Sequence, residues 1–253
     1  MRRDFKFNSM KYVVYLMLIV LMMSQYSCGI YADDALGNKS MDDKNKALAR
    51  KIAENYKVSD EESNLSDLVL IDQNGKKNSF YQLFSGKVVY VAFVDNYSDF
   101  NADDSDMLSL KERFKYNSDI KFIKIYLKGI QGNRKGVNQI PSYKLEKSGT
   151  AKLIQKQFSS IENYMVVDQK NRVLCINGPK PKDRILVDYV LYRTTKSEQG
   201  YLATLHLING IGKDKFIDKD YSDWYQMHFH ERFTGTLSFT ITTPKSHRLA
   251  IMF

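Results

Sequence analysis

The stretch that most constrains the fold of this chain runs from Gly86 to Phe114. It begins with a nearly unbroken apolar run, Lys87 to Val94, rich in β-branched and aromatic residues and typical of a strand buried on both faces. A polar loop follows, and then Met107, Leu110 and Phe114 recur at helical spacing. The order strand, loop, helix predicts an α/β protein whose loop lies at the edge of a rigid sheet, a common position for functional residues.

Further elements are predicted on both sides of this stretch. Asn74-Gly75 separates two short strand-like pieces and indicates a hairpin, because both residues tolerate positive φ. The segment from Asp119 to Lys128 predicts the next parallel strand, joined by a right-handed crossover. Seven apolar residues are expected in the core of one sheet: Val89, Val91, Phe93, Phe122, Ile125, Met165 and Val167.

The segment from Asp67 to Tyr192 resembles thioredoxin-like proteins of the TlpA type, which are membrane-anchored periplasmic disulfide reductases and their relatives. The resemblance rests on GKVVYVAFV before a helix, on the hairpin upstream, and on a later strand that ends in Asp168 and a turn. It implies a thioredoxin-like mixed sheet flanked by helices, assigned here to residues 65–195. On the family pattern, the two Cys-x-x-Cys positions fall at Ser98 and Asn101, and the cis-proline position falls at Glu162.

These substitutions remove the chemistry that the resemblance would otherwise imply. A dithiol reductase works because one thiolate attacks a disulfide and a second thiol resolves the mixed disulfide, and a serine can take neither role. A cis peptide before Glu162 would be costly, so we expect a trans peptide and a remodelled loop there. The sequence therefore predicts a protein that is redox-inactive, has no cofactor, and serves as a binding or interaction module.

The N-terminal residues have the layout of a secretory signal peptide, assigned to residues 1–27. Basic residues precede an apolar run, Tyr12 to Met23, that is too short to span a bilayer comfortably. Ser27-Cys28-Gly29 resembles the end of a bacterial lipoprotein signal, in which Cys28 is acylated. The alternatives are an ordinary signal peptide with an incidental cysteine, or an uncleaved anchor, and translation could also start at Met10.

Residues 28–64 are polar and predict a solvated tether that contains one short helix. We therefore expect a lipid-anchored protein of the cell envelope, on the periplasmic side of a membrane or on the outer surface. The expected partners are that membrane and a protein of the envelope. The formal net charge is +9, but Lys and Arg do not alternate with aromatic residues, so a solvated basic surface is favoured over nucleic-acid binding.

Two alternative functions depend on residues elsewhere in the chain. A thiol-disulfide oxidoreductase-related protein could act through Cys175, or through thiols of a partner, although Cys175 lies in a strand-like run and favours a buried position. A metal-binding module could use His228 and His230, which would share one face if they lay on a strand. Histidines on the solvated face of a strand are the simpler interpretation.

Residues 196–253 fall outside the resemblance and predict a β-rich C-terminal extension. Four segments have strand composition and are separated by Gly, Thr and Pro. They are Tyr201 to Asn209, Asp223 to Phe233, Gly235 to Thr243 and Arg248 to Phe253.

Overall fold

The fold is described from a computed structural model. It describes residues 43, 46–58, 64–94, 103–127, 140–146, 154, 163–210, 219–231, 239–242 and 248–251. The chain divides into two units, residues 1–47 and residues 48–253. Within the described ranges, no helix combines the length and the apolar character needed to cross a bilayer.

A seven-stranded mixed sheet forms the centre of the second unit. Its strands are β1 (Val69–Ile71), β2 (Lys77–Ser79), β3 (Val88–Val94), β4 (Ile120–Tyr126), β5 (Ser142–Leu145), β6 (Asn163–Val167) and β7 (Val173–Cys175). They lie in the order β2-β1-β5-β4-β3-β6-β7. Strand β3 pairs with β4 in parallel and with β6 in antiparallel orientation, so the predicted central strand is central.

Helices flank this sheet. Residues 46–54 form α1, and the other helices are α2 (Phe80–Phe84), α3 (Asp103–Arg113), α4 (Arg184–Thr195), α5 (Gly200–Gly210) and α6 (Lys219–Phe229). Strand β3, helix α3 and strand β4 form the predicted parallel crossover unit. The fold class is therefore α/β, a mixed sheet flanked by helices, as the resemblance to thioredoxin-like proteins implies.

The alternation along β3 divides the apolar residues between two cores. Tyr90 and Ala92 face the larger core, where residues of α1, α3, α4, α5 and α6 cover the sheet. Val89 and Val91 face the smaller core, which includes the hairpin and α2. All seven residues predicted for the sheet core are buried, with exposed fractions between 0% and 5%.

Two turns that the sequence predicts lie at the ends of strands in the sheet. Gly75 has a φ of 82° in the turn between β1 and β2, where the left-handed region favours glycine. After β6, the buried carboxylate of Asp168 accepts hydrogen bonds from the backbone N–H groups of Lys170 and Arg172, both at 2.9 Å. Asn171 takes a positive φ of 61° within this turn, so the strand ends in an Asp and a turn, as expected.

The C-terminal region differs from the predicted β-rich extension. Tyr201 to Asn209 and most of Asp223 to Phe233 were predicted as strands, but they belong to helices α5 and α6. Burial in α5 recurs at Ala203, Leu207 and Ile208, which is helical spacing, so packing on the sheet decides against the high β-propensity of these residues. Two antiparallel strands do occur further on, β8 (Phe239–Thr242) and β9 (Arg248–Ile251).

Candidate functional site

The strands next to the two chain segments predicted to carry the site, β3 and β6, are neighbours in the sheet. Strand β3 ends at Val94, and α3 begins at Asp103. Strand β6 begins at Asn163, whose backbone is in register with Phe93 near the end of β3. The described residues thus bring the chain ends that lead to these positions to one edge of the sheet. The predicted positions themselves lie outside the described residues: Ser98, Asn101, Glu162 and the lipidation residue Cys28.

Two stacked tyrosines support this edge from within the larger core. The rings of Tyr90 on β3 and Tyr164 on β6 lie 5.5 Å apart, and both residues are buried. The Tyr90 hydroxyl donates to the backbone carbonyl of Pro179 at 2.5 Å, and the backbone N–H of Gly178 donates to the carbonyl of Tyr164 at 2.8 Å. The segment before α4 is therefore hydrogen-bonded to strands β3 and β6.

Cys175 at the end of β7 is fully buried and is a free thiol. An added Cβ on Gly200 would lie 2.5 Å from its Sγ, so the start of α5 packs directly on this side chain. Burial also raises the pKa of the Cys175 thiol well above its usual range. A buried thiol that resists ionisation is a poor nucleophile, so this geometry opposes a redox role for Cys175 and agrees with a core role.

The strand placement of His228 and His230 was wrong. His228 lies in the last turn of α6, and its ring contacts Trp224 at a centroid distance of 4.7 Å. His230 follows the helix with a φ of 55°, and its ring lies 5.2 Å from that of Tyr116. Burial lowers the pKa of His228, and nearby Asp119 opposes this effect. In the described part of the chain, no three His, Cys, Asp or Glu side chains converge as a metal site requires.

A buried ion pair joins three helices on the same side of the sheet. Arg113 at the end of α3 pairs through Nη2 with the carboxylate of Asp188 on α4, which is fully buried. The same nitrogen donates to the Tyr225 hydroxyl of α6 at 3.3 Å, and the guanidinium carbon lies 4.4 Å from the centre of the Phe229 ring. These contacts fix the position of the Arg113 side chain between α3, α4 and α6.

The environment of Asp188 favours its neutral form. Burial raises the pKa of Asp188 to about 7, although Arg113 and Arg184 pull in the opposite direction. Its Oδ1 atom is buried and accepts no hydrogen bond within the described residues. The sequence carries one signal for this pair, because Asp188 is an acidic residue within the otherwise apolar run from Ile185 to Leu191.

Beside this ion pair lies a cavity of about 150 Å³, between one face of α3 and the segment that begins α4. Helix α3 contributes Asp106, Ser109 and Arg113, and the opposite wall includes Lys182 and Arg184. Lys182 and Arg184 are exposed, whereas Pro181 beside them is buried. Three of the lining side chains are cationic and one is anionic, so the cavity is basic.

No protein-family model and no curated protein matches this chain. Similar solved structures include a putative thiol-disulfide oxidoreductase from Bacteroides vulgatus, with 12% identity over 52% of this chain and 94% of that chain, at a TM-score of 0.40. The exposed lipoprotein thioredoxin Etrx1 from Streptococcus pneumoniae shows 16% identity over 44% of this chain and 87% of that chain, at a TM-score of 0.34. BsSco, of the Sco family of cytochrome c oxidase assembly proteins, shows 13% identity over 53% of this chain and 93% of its own, at a TM-score of 0.38.

Proposed function

We propose that this chain is a redox-inactive thioredoxin-like lipoprotein of the cell envelope that acts as a binding module. One observation carries the proposal: the full burial of Cys175 beneath Gly200. The sequence contains only one other cysteine, Cys28, near its N-terminus. A thiol must be accessible and ionised to attack a disulfide, and Cys175 meets neither condition.

The residues at the positions equivalent to the family dithiol support the same conclusion. Ser98 and Asn101 offer no thiol at the point where the scaffold would present one, between β3 and α3. The scaffold itself is present, since β3, β4 and β6 are neighbours in a mixed sheet and α3 connects β3 to β4. A protein that keeps the scaffold and lacks the dithiol is suited to binding rather than to electron transfer.

The two alternative functions have less support. A redox role through Cys175 conflicts with its burial, and no observation favours the use of a partner's thiols. A metal-binding role for His228 and His230 loses the argument from a shared strand face, because His228 lies in helix α6 and His230 just beyond it.

The localisation and the partners belong to the same proposal. An acylated Cys28 would anchor the protein in a membrane, because several acyl chains at about 0.8 kcal/mol per buried methylene hold a protein firmly. The binding partner would then be a protein of the envelope. Mass spectrometry of the mature N-terminus would show an acylated Cys28 if this is right, and a different unmodified N-terminal residue would exclude the lipid anchor.

A reductase assay on three proteins tests the loss of redox function. The parent should not reduce a model disulfide, and Ser98→Cys/Asn101→Cys should do so only weakly. On the family pattern, a glutamate at position 162 would add negative charge near the new thiols, and negative charge raises a thiol pKa and opposes thiolate formation. Adding Glu162→Pro should therefore increase turnover by about tenfold or more, since one pKa unit corresponds to a factor of ten in ionisation.

Two results would contradict the proposal. Substantial turnover by the parent would show that the chain is redox-active. Full activity in the double variant would remove the inhibitory role assigned to Glu162. Cys175→Ala in the parent background is the matched control. If Cys175 is only a core residue, removing its thiol should not change the rate at which the parent reduces the model disulfide.

A further inference from the structure

The cavity beside the ion pair of Arg113 and Asp188 has the features of a ligand site. This site is independent of whether the chain reduces disulfides. Its volume of about 150 Å³ is that of a pocket able to admit one benzene-sized group. Asp106, Ser109 and Arg113 lie three or four residues apart on α3 and so line one wall. Pro181, Lys182 and Arg184 line the opposite wall.

Both walls of this cavity are held in place by buried contacts. On the α3 side, the Arg113 guanidinium is fixed by Asp188 and by the rings of Tyr225 and Phe229. On the opposite side, the Tyr90 hydroxyl holds the Pro179 carbonyl, two residues before the buried Pro181. The positions from which Lys182 and Arg184 extend are therefore defined before any ligand arrives, which lowers the entropic cost of binding.

The charges of the lining residues select the sign of the ligand. Lys182 and Arg184 form no ion pair within the described residues, and both are exposed at the cavity wall. Asp106 is the single lining carboxylate, and Ser109 adds a hydroxyl donor. Arg113 is held on its buried side by Asp188 and Tyr225, so the cations that are exposed at the cavity wall are Lys182 and Arg184.

We infer that this cavity binds a small oxyanion, a carboxylate or phosphate group, held mainly by Lys182 and Arg184 with Ser109 as a further donor. Guanidinium groups match the oxygen geometry of both anions, and charge-assisted hydrogen bonds are stronger than neutral ones. The inference goes beyond the proposed function, because it holds whether or not the chain reduces disulfides.

The test measures anion binding by the full chain with inorganic phosphate and, separately, with acetate, each against chloride at equal ionic strength. Isothermal titration calorimetry should show saturable binding of at least one anion at concentrations up to about 50 mM, a range that covers a weak, millimolar site. Preference for phosphate or for acetate identifies the source of the oxyanion. Absence of saturable binding for both would overturn the inference.

Variants tie the binding to this cavity. Lys182→Gln/Arg184→Gln should weaken binding by about tenfold or more, because two charge-assisted contacts are lost. Asp106→Asn should strengthen binding several-fold, because it removes the one carboxylate that opposes an anion. The control Lys121→Gln/Lys170→Gln removes two exposed cations elsewhere and should leave affinity within about twofold.

The outcomes separate a local site from a general charge effect. Equal losses in the double variant and the control would overturn the inference, because they would show that net charge alone attracts the anion. Affinity in the double variant equal to that of the parent would also overturn it. Circular dichroism of each variant verifies the fold, and both pairs of residues are exposed, so neither exchange disturbs the core.

Discussion

At the scale of single residues, the most consequential group is the carboxyl of Asp188. It lies fully buried on α4 and pairs with Arg113, whose side chain is also held by Tyr225 and Phe229. A buried ion pair repays its desolvation only when its geometry and its further hydrogen bonds are good, and Asp188 Oδ1 has no donor within the described residues. This explains why burial raises the pKa of Asp188 to about 7 despite its cationic neighbour.

Asp188 should therefore make stability depend on pH. Between pH 3.8, the ordinary pKa of an aspartate, and about pH 7, the folded state holds a proton on Asp188 that the unfolded state has lost. The free energy of unfolding should accordingly fall as pH rises through this window, with a contribution from Asp188 of up to about 1.4 kcal/mol per pH unit. Denaturant unfolding from pH 4.5 to pH 7, about the span of that window, should show Asp188→Asn gaining on the parent as pH rises.

The control for this experiment is Asp220→Asn, which removes an exposed carboxylate on α6 that pairs with Lys196. It changes the net charge by the same amount without altering the core. If the curves of the parent and Asp188→Asn run parallel across the whole range, the folded-state proton on Asp188 does not exist.

At the scale of elements, strand β3 organises the sheet because it is paired on both sides and buried on both faces. Val91 has no exposed surface and is in register with Ile123 on β4 and Met165 on β6. Val91→Asp places a charge in the smaller core with no partner, so it should cost more than about 4 kcal/mol or prevent folding. Urea unfolding followed by circular dichroism measures this loss.

Lys121→Asp on β4 is the matched control, because it puts the same residue at an exposed position of a neighbouring strand. Its free energy of unfolding should stay within about 0.5 kcal/mol of the parent's, as is usual for surface substitutions. A Val91→Asp protein that unfolds at the same urea concentration as the parent would be incompatible with β3 as the central buried strand.

At the scale of the whole molecule, the sequence predicted the sheet better than the elements that cover it. The run from Val88 to Val94 is apolar on both faces, and only a central strand explains that, so its position could be predicted. The segment from Tyr201 to Asn209 has β-branched and aromatic residues that suit a strand. Its helical spacing of buried residues, Ala203, Leu207 and Ile208, becomes apparent only from their packing in the larger core.

Of the candidate sites, the loop between β3 and α3 could be predicted from the sequence, but the cavity could not. The loop between β3 and α3 follows from the strand and helix patterns, whereas the cavity depends on Lys182 and Arg184 approaching α3 from a segment about 70 residues further along the chain. Periodicity carries no information on such distant contacts. The pairing of Arg113 with Asp188 is hidden for the same reason, although an acidic residue inside an apolar helix indicates some buried partner.

The C-terminal helices complete the larger core, and this leads to a prediction about truncation. Ala203, Leu207 and Ile208 of α5, with Tyr221 and Trp224 of α6, pack in the same cluster as Tyr90 and Phe122 of the sheet. Contacts from α1 add to the same assembly, since Arg50 donates to Asn209 Oδ1 at 3.1 Å. A chain that ends at Thr195 would expose this face of the sheet, and large apolar surfaces of that kind lead to aggregation or to a loosely packed state.

Such a truncated chain should bind a hydrophobic dye strongly, lose its near-ultraviolet circular dichroism, and unfold without a cooperative transition. The matched comparison removes residues 1–47, a segment of similar length that forms the other unit, and this shortened chain should keep a cooperative transition close to that of the parent. The two deletions differ in whether they remove part of the larger core. A chain ending at Thr195 that unfolds as cooperatively as the one lacking residues 1–47 would mean that residues 1–195 fold without the C-terminal region, and that α5 and α6 cover a core already stable without them.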